Sequence, residues 1–459
     1  MTKLIKNPPR ILIAATQSGS GKTTITCGIL RALTKRGLAV QGYKTGPDYI
    51  DPGYLSMASR RPVHNLDTWL LDVETMKSLF AQHAELADIT VVEGVMGLYD
   101  GGRGGISSTA SIAKLLKIPV ILVINIASMA ESAAAIALGF REYDRELPFA
   151  GVILNNAGSE RHGQMVVEAM EKLGIKVFGI IPRKKELGIS ERHLGLLPTE
   201  ENSNEEQIEI MGHTVEEHLD LDAMIELASH TAEIETEAQT EEGEKRVRIA
   251  IAKDKAFSFY YQESLREAEK AGAEIVFFSP LEDSELPEAD GLLLGGGFPE
   301  MFAEQLAANE SMKKSIRDAV SGGMPVIAEC GGYMYLTRSI KDFEGNEHEM
   351  CGIIPAVSYM TEKLRRMGYV TAQALTESVL AEKGAVMNGH EFHFSAITPD
   401  NEETFPYAYE FAGNCGAGKK YMAGYTKDSV TASYLHIHFA GNREELKRFI
   451  KKCEEYKNR

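Results

Sequence analysis

Short apolar runs punctuate the first half of the chain, each followed by a stretch of helical periodicity: Ile11–Ala15, Val40–Lys44, Ile89–Glu93, Val120–Ile124, Gly151–Asn155 and Val177–Ile181. Strand-length runs alternating with helical patterns predict an α/β fold, a mostly parallel sheet covered by helices. The second half repeats the habit at Val247–Ala252, Ile275–Phe278, Gly291–Leu294, Val326–Ala328 and Ser433–His438. No repeat of fixed period links the halves. The most apolar stretch, Ile118 to Phe140, is interrupted by Asn125, Ser128 and Glu131. A membrane span needs about 20 mainly apolar residues, so this stretch reads as a buried strand followed by an amphipathic helix.

Two segments start alike, Arg10–Ala15 and Arg246–Ala252, which suggests two α/β domains. Between them, Glu200 to Glu244 holds sixteen Asp or Glu and no Lys or Arg; the net −17 less this −16 leaves −1 for the rest of the chain. Leu219, Leu221, Met224, Ile225 and Leu227 fit one face of a helix packed on a domain. The segment from Thr231 to Lys245 has little apolar content and reads as an exposed acidic linker. The expected organisation is therefore a domain over residues 1–230, a linker over 231–245 and a domain over 246–459. At roughly 100–200 residues per domain, a chain of 459 fits that division.

The negative charge argues against nucleic acid and anionic membrane as partners. Five cysteines without a C-x-x-C pair support neither a disulfide framework nor a zinc site. MTKLIKNPPR lacks the apolar core of a signal peptide, so a reducing, cytoplasmic setting is expected.

The first strand candidate runs into Thr16-Gln-Ser-Gly-Ser-Gly-Lys-Thr-Thr24 and then into a helical stretch. Backbone N–H groups around Gly19, Ser20 and Gly21 can close on phosphate oxygens, and the following helix N-terminus adds a favourable dipole. Lys22 would reach the β and γ phosphates of ATP, with Thr24 next in the loop and the Thr23 hydroxyl on Mg²⁺. The usual first glycine is replaced by Thr16. Asp48 and Glu93, at or just beyond strand ends, are the expected carboxylate ligands of Mg²⁺. A turn or cap role is the alternative for Asp48, and more strongly for Asp51. Asn155 closes its strand and is expected to hydrogen-bond the base, with a plain loop amide as the alternative.

In the second half, Pro325-Val-Ile-Ala-Glu-Cys-Gly-Gly-Tyr333 carries a strand directly into Cys330. A strand–turn–helix elbow projects a nucleophile, and a helix N-terminus favours the thiolate. Gly296 and Gly297, in the Gly-Gly-Gly after Leu294, together with Gly331, can offer N–H groups to an oxyanion. His436, in Ser433-Tyr-Leu-His-Ile-His438, is the expected base, with His438 on the same side of the strand. The other cysteines are expected to be structural.

Taken together these residues resemble the cobyrinate a,c-diamide synthase family: Ser18-Gly-Ser-Gly-Lys-Thr-Thr24, Lys44-Thr-Gly-Pro-Asp-Tyr-Ile-Asp-Pro52, Val92-Glu-Gly-Val-Met-Gly-Leu-Tyr-Asp-Gly101, Leu294-Gly-Gly-Gly-Phe-Pro-Glu300, Ala328-Glu-Cys-Gly-Gly-Tyr-Met-Tyr-Leu336, Gly389-His-Glu-Phe-His-Phe-Ser395 and Ala432–Phe439. The resemblance implies a P-loop NTPase-like, dethiobiotin synthetase-like ATP half and a class I glutamine amidotransferase half, both doubly wound. It implies an activity as well: glutamine-derived ammonia amidates the a and c acetate carboxylates of cobyrinate after ATP has phosphorylated them. Partners are then ATP, L-glutamine and a polycarboxylate tetrapyrrole, acting on a monomer or homodimer. Class I glutaminases carry Glu two residues after the histidine; here His438 stands there, so the resemblance implies a Cys–His dyad oriented by another group. Tyr49, Asp51, Arg103, Arg365 and Arg366 are the candidates for the substrate carboxylates.

The nearest rivals are a,c-diamidation of nickel-sirohydrochlorin and, less similar, cobyrate synthase-type amidation. Dethiobiotin synthetase alone does not account for the second half. A regulatory P-loop ATPase would carry a second lysine where this chain has Gln17, and would lack the Cys330 elbow.

Overall fold

In the computed structural model the described residues are 3–184, 191–192, 195–196, 203–237 and 243–459. They form two compact units, one ending at Gln239 and the other starting at Thr240.

The first unit is built on a parallel seven-stranded sheet. Its strands are β2 (Arg10–Ala15), β3 (Val40–Thr45), β4 (His64–Leu66), β5 (Ile89–Glu93), β6 (Val120–Asn125), β7 (Phe149–Ala157) and β8 (Val177–Pro182), in the order β4-β3-β5-β2-β6-β7-β8. The runs read from the sequence fall on these strands; three-residue β4 has no apolar run and escaped that reading. Every residue of β2, β3 and β5 is buried, because helices α1 (Lys22–Lys35), α2 (Asp51–Ser59), α3 (Val73–Ala84), α4 (Thr109–Leu115), α5 (Ser132–Tyr143) and α6 (Glu160–Glu171) connect the strands and clothe the sheet. Ile11, Ile13 and Ile121 pack with Ile25, Ile29 and Leu33 of α1 in one core. With β2 in the middle, the loops at the carboxyl ends of β2, β3 and β5 share one edge, where open α/β sheets bind ligands.

The acidic stretch supplies structure. Helix α7 (Ser203–His218) lies along α1, and α8 (Leu221–Ser229) buries Leu221, Met224 and Ala228 as the periodicity predicts. Arg31 of α1 is fully buried and pairs with Glu205 at 2.7 Å and with Glu209. Lys35 pairs with Glu209, and Arg36 with Glu216 and Asp222. Four of the sixteen acidic residues thus answer the basic side chains at the end of one helix. Of the exposed linker expected over 231–245, residues 238–242 lie outside the described residues, and residues 231–237 are tied to the first unit. Arg10 donates to Thr231 and to the Ala232 carbonyl, and Ile234–Glu237 form a strand antiparallel to β1 (Lys3–Lys6). Ile234 and Thr236 are buried while Glu235 between them is exposed; the alternation is that of a half-buried strand. With the two-residue pair β9 (Glu191–Arg192) and β10 (Gly195–Leu196), this strand is β11.

The second unit has a six-stranded sheet: β12 (Val247–Ala252), β13 (Ala273–Phe278), β14 (Gly291–Leu294), β15 (Val326–Glu329), β24 (Tyr425–Lys427) and β25 (Val430–Ser433), ordered β13-β12-β14-β15-β25-β24 and parallel except for β24. Around it stand α9 (Gln262–Lys270), α10 (Ala303–Ala308), α11 (Glu310–Ser321), α12 (Gly331–Leu336) and α13 (Arg443–Lys457). Between α12 and β24 lies a largely antiparallel region that the sequence reading did not divide. There β16 (Thr337–Lys341), β17 (Glu347–Glu349), β18 (Ile354–Met360) and β21 (Ser395–Pro399) make one sheet. A second joins β19 (Arg366–Ala374), β20 (Val386–His393), β22 (Tyr409–Ala412), β23 (Lys420–Ala423) and β26 (His436–Ile437). The strand expected over Ser433–His438 is therefore two: the chain leaves the parallel sheet at Ser433 and pairs His436 opposite His390 of β20. No described helix is long and apolar enough to cross a membrane.

Candidate active sites

In the first unit, β2 turns at Thr16 into the loop that starts α1. Gly19 and Gly21 take φ of +76° and +86°, a region costly for any residue with a Cβ. Gly21 also needs to be bare: a Cβ there would lie 2.3 Å from Nδ2 of Asn155. That amide donates to the Ser20 carbonyl at 2.8 Å, and its Oδ1 accepts the N–H of Asn156. Asn155 thus braces the phosphate loop from the end of β7. The Ser20 hydroxyl is turned inward onto the Gln17 carbonyl, whereas Thr24 follows Thr23 in the first turn of α1. Lys22 is buried, and no carboxylate among the described residues ion-pairs with it. Burial, and then Lys44, lower its pKa against the pull of Glu93, Asp51 and Asp48.

Lys44, the first residue of the Lys44–Pro52 motif, joins the site from within β3. Parallel pairing sets it beside Glu93, the last residue of β5. Its ammonium, 1 % exposed, lies 2.6 Å from Glu93, hydrogen-bonds Asp51 and stands 3.7 Å from Asp48. Burial opposes its charge, but the three carboxylates outweigh burial and hold it protonated. Burial likewise raises the Glu93 pKa against Lys44, whereas Lys44 overrides burial at Asp51 and lowers it. Asp48 is pushed up to about 7 by burial and by Asp51. One of its oxygens caps α2, accepting from the N–H groups of Ile50 and Asp51. The Thr23 hydroxyl donates to Glu93 at 2.9 Å and approaches Asp51 at 3.3 Å. Asp51, expected on the substrate, is therefore the carboxylate grouped with Thr23 and Glu93, and Asp48 is partly spent on the cap.

This group fits a hard divalent cation. A hydroxyl and three carboxylates are hard oxygen donors, negative charge exceeds that of Lys44, and the buried Oε2 of Glu93 has no hydrogen-bond partner among the described residues. Tyr49 sits beside Asp48, half-buried; Arg103 is exposed in the Gly-rich segment before α4. Arg365 and Arg366 belong to the second unit, where both are exposed and Arg366 lies over the Tyr421 ring at 4.0 Å.

In the second unit, β15 ends at Glu329 and Cys330 turns the chain into α12. Cys330 has φ +48° and ψ −102°, a strained backbone for a residue with a side chain. Its N–H donates to the Ser433 carbonyl and its carbonyl accepts from Met334, so both sides of the elbow are pinned. Gly332 is bare because a Cβ would lie 2.3 Å from the Leu294 carbonyl. A Cβ on Gly331 would stand 3.1 Å from the Gly297 nitrogen, so these two backbones meet beside Cys330. A Cβ on Gly296 would strike His436 Cε1 at 2.7 Å. The three glycines expected around an oxyanion are gathered here, Gly296 against the histidine ring.

His436 is 1 % exposed; its Nδ1 lies 3.3 Å from Oε2 of Glu329. Burial works against its charge, but hydrogen bonds to Cys330 and Glu329 more than offset this and push its pKa up to about 10. His436 and Cys330 are thus hydrogen-bonded partners at the start of α12, which is only six residues long. His438 is not on this side: its Nδ1 accepts from the Ala440 N–H, its ring stacks on Tyr261 at 4.9 Å, and burial lowers its pKa to about 4. The strand ends at Ile437 and a turn begins at His438, so the strand alternation expected to align the two rings is not kept. The Gly389–Ser395 motif forms the wall: His393 donates to the Ser395 carbonyl and stacks on Tyr434 at 3.8 Å, whose hydroxyl meets Ser395 at 2.8 Å. Cys27, Cys351 and Cys453 are buried, and all five thiols are free.

Two family models divide the chain. Residues 11–196 match a "CobQ/CobB/MinD/ParA nucleotide binding domain", and residues 248–444 match a "CobB/CobQ-like glutamine amidotransferase domain". A cobyrinate a,c-diamide synthase of Dehalococcoides mccartyi is 45 % identical, covering 97 % of this chain and 98 % of its own. The protein of that name from Caldanaerobacter subterraneus is 43 % identical over 97 % and 98 %, and that from Listeria innocua 45 % identical over 94 % and 97 %. With both domains in the same order and near-complete coverage, the chain belongs to the cobyrinate a,c-diamide synthase family.

Proposed function

We propose that the protein amidates the a and c acetate carboxylates of cobyrinate, using ATP to activate each carboxylate and glutamine to supply ammonia, in the cytoplasm. In the second unit, the Cys330 thiolate attacks the side-chain amide of glutamine. The N–H groups of Gly297 and Gly331 receive the developing oxyanion, with Gly296 keeping room for the histidine. The His436 imidazolium gives its proton to the leaving nitrogen, ammonia departs, and a thioester remains. Neutral His436 then takes a proton from water as the water attacks; glutamate leaves and the thiolate returns.

In the first unit, the loop N–H groups and Lys22 hold the ATP phosphates. A substrate carboxylate oxygen attacks the γ-phosphorus, ADP leaves, and the acyl phosphate formed is open to ammonia, which displaces phosphate and leaves the amide. Thr23, Glu93 and Asp51, with Asp48 alongside, would hold Mg²⁺, which when bound neutralises phosphate charge. Lys44 holds Glu93 and Asp51 in place and, against burial, favours the charged form of Asp51. Arg103 and Tyr49 are the residues of this unit left to meet substrate carboxylates.

The observation that carries the reading is the nucleophilic Cys330–His436 pair on the same chain as the phosphate loop and its buried carboxylates. Product analysis tests it: with ATP, glutamine and cobyrinate, mass spectrometry should find two successive –OH to –NH₂ changes. No amidation of cobyrinate, alongside turnover of a nickel porphinoid, would overturn the corrinoid assignment.

A further inference from the structure

His436 needs a partner on Nδ1 if its other nitrogen is to serve Cys330, and position 438 does not provide one, since His438 is occupied elsewhere. The carboxylate that does reach Nδ1 belongs to the residue immediately before the nucleophile. Glu329 ends β15 in register with Ser433 of β25, three residues before His436. From there its Oε2 meets His436 Nδ1 at 3.3 Å, and its Oε1 accepts the N–H of Ile437 at 3.4 Å. Among the described residues no Lys or Arg pairs with Glu329; its ion-pair partner is His436. One carboxylate thus grips both the ring and the backbone next to it.

We propose that Glu329 is the positioning carboxylate of the glutaminase site, holding His436 by Nδ1 so that the remaining ring nitrogen faces the Cys330 thiol. The proposal rests on Cys330 and His436 being the glutaminase pair. Elbow and acid are adjacent in sequence here, so the strand that sets the nucleophile also sets the acid, with no need for one after the histidine. Two consequences follow from the chemistry. A carboxylate on Nδ1–H fixes the tautomer that can accept the thiol proton, and it stabilises the imidazolium once that proton has moved. The other titratable groups facing this pair are Cys330 itself, His390 across on β20, which burial and then His436 keep neutral with a pKa near 3, and Tyr260 and Tyr409, both protonated by burial.

The test is Glu329→Gln and Glu329→Asp in the full chain, with glutaminase activity followed across pH and ammonia-driven amidation as the control for folding. Glutamine has the shape but not the charge, so kcat for glutamine hydrolysis should fall about 100-fold or more, with KM changed less than about threefold. Without that negative charge the imidazolium loses its proton at lower pH, so the descending basic limb of the profile should move down in pH. Glu329→Asp should recover part of both the rate and the limb. A Glu329→Gln enzyme with wild-type kcat, or one slowed with its basic limb unmoved and no recovery by Asp, would overturn the proposal. Where Gln prevents folding, Glu329→Asp decides: its shorter carboxylate reaches Nδ1 less closely, so a kcat for glutamine hydrolysis and a basic limb both equal to wild type overturn the proposal. Glutamine-driven activity surviving in Cys330→Ala would sink the glutaminase reading itself, which is a separate outcome.

Discussion

Lys44 and Glu93 lie side by side because β3 and β5 are neighbours, although 49 residues separate them in sequence. A buried ammonium among three carboxylates is costly to assemble and costlier to leave incomplete. Lys44→Met should lower stability in urea by about 3–5 kcal/mol, the size found when one member of a buried ion pair is removed. Adding Glu93→Gln to it should cost less than the two single losses combined, since the second change removes a charge the first left unpaired. Additive losses would mean that Lys44 and Glu93 are not coupled. A lysine closing an apolar strand gave the sequence reading nothing to distinguish it from an exposed strand end. Asp48 and Glu93 were legible as strand-edge acids and Asp51 only as a turn or substrate candidate; which of them would share Thr23 depended on how α2 begins, and there Asp48 is drawn onto two N–H groups.

At the scale of elements, the packing of α7 on α1 puts part of the acidic block against the basic end of α1. Gly28 lets the helices touch: a Cβ would lie 2.4 Å from Val215 Cγ2 and 2.8 Å from the Met211 carbonyl. Gly28→Ala should therefore destabilise the first unit by about 1–3 kcal/mol, despite alanine's better helix propensity, because a backbone carbonyl cannot turn aside as a side chain can. A denaturation midpoint equal to or above wild type would contradict that close approach. The strands of the parallel sheets were readable because burial on both faces makes them continuous apolar runs. Strands such as β19, with an exposed start at Arg366 and Met367, and β11, with Glu235 between buried Ile234 and Thr236, carry no such run. Their pattern is weaker than their charge, so charge misled the reading of residues 234–237 as linker.

For the whole molecule, two chemistries on one chain make a separable pair of expectations. Cys330→Ala should abolish glutamine-driven amidation yet keep the ammonia-driven reaction. Glu93→Gln should abolish amidation from either nitrogen source while glutamine hydrolysis persists; assays with glutamine and with ammonium salts read both. Loss of both reactions in Cys330→Ala would give Cys330 a structural role. The sequence by itself determined the order of the two α/β units, the phosphate loop, the cysteine elbow and the histidine expected to serve it, because each is written in contiguous residues: an apolar strand, a turn that needs glycine, a helix start. Only the tertiary structure decided that Lys44 sits among the carboxylates, that Asn155 braces the loop, and that Glu329 rather than residue 438 meets His436 across a separation of 107 residues. Those pairings are set by which strands lie side by side and where each one ends, and hydrogen bonds and charges act over a few ångströms of space, whatever the distance along the chain.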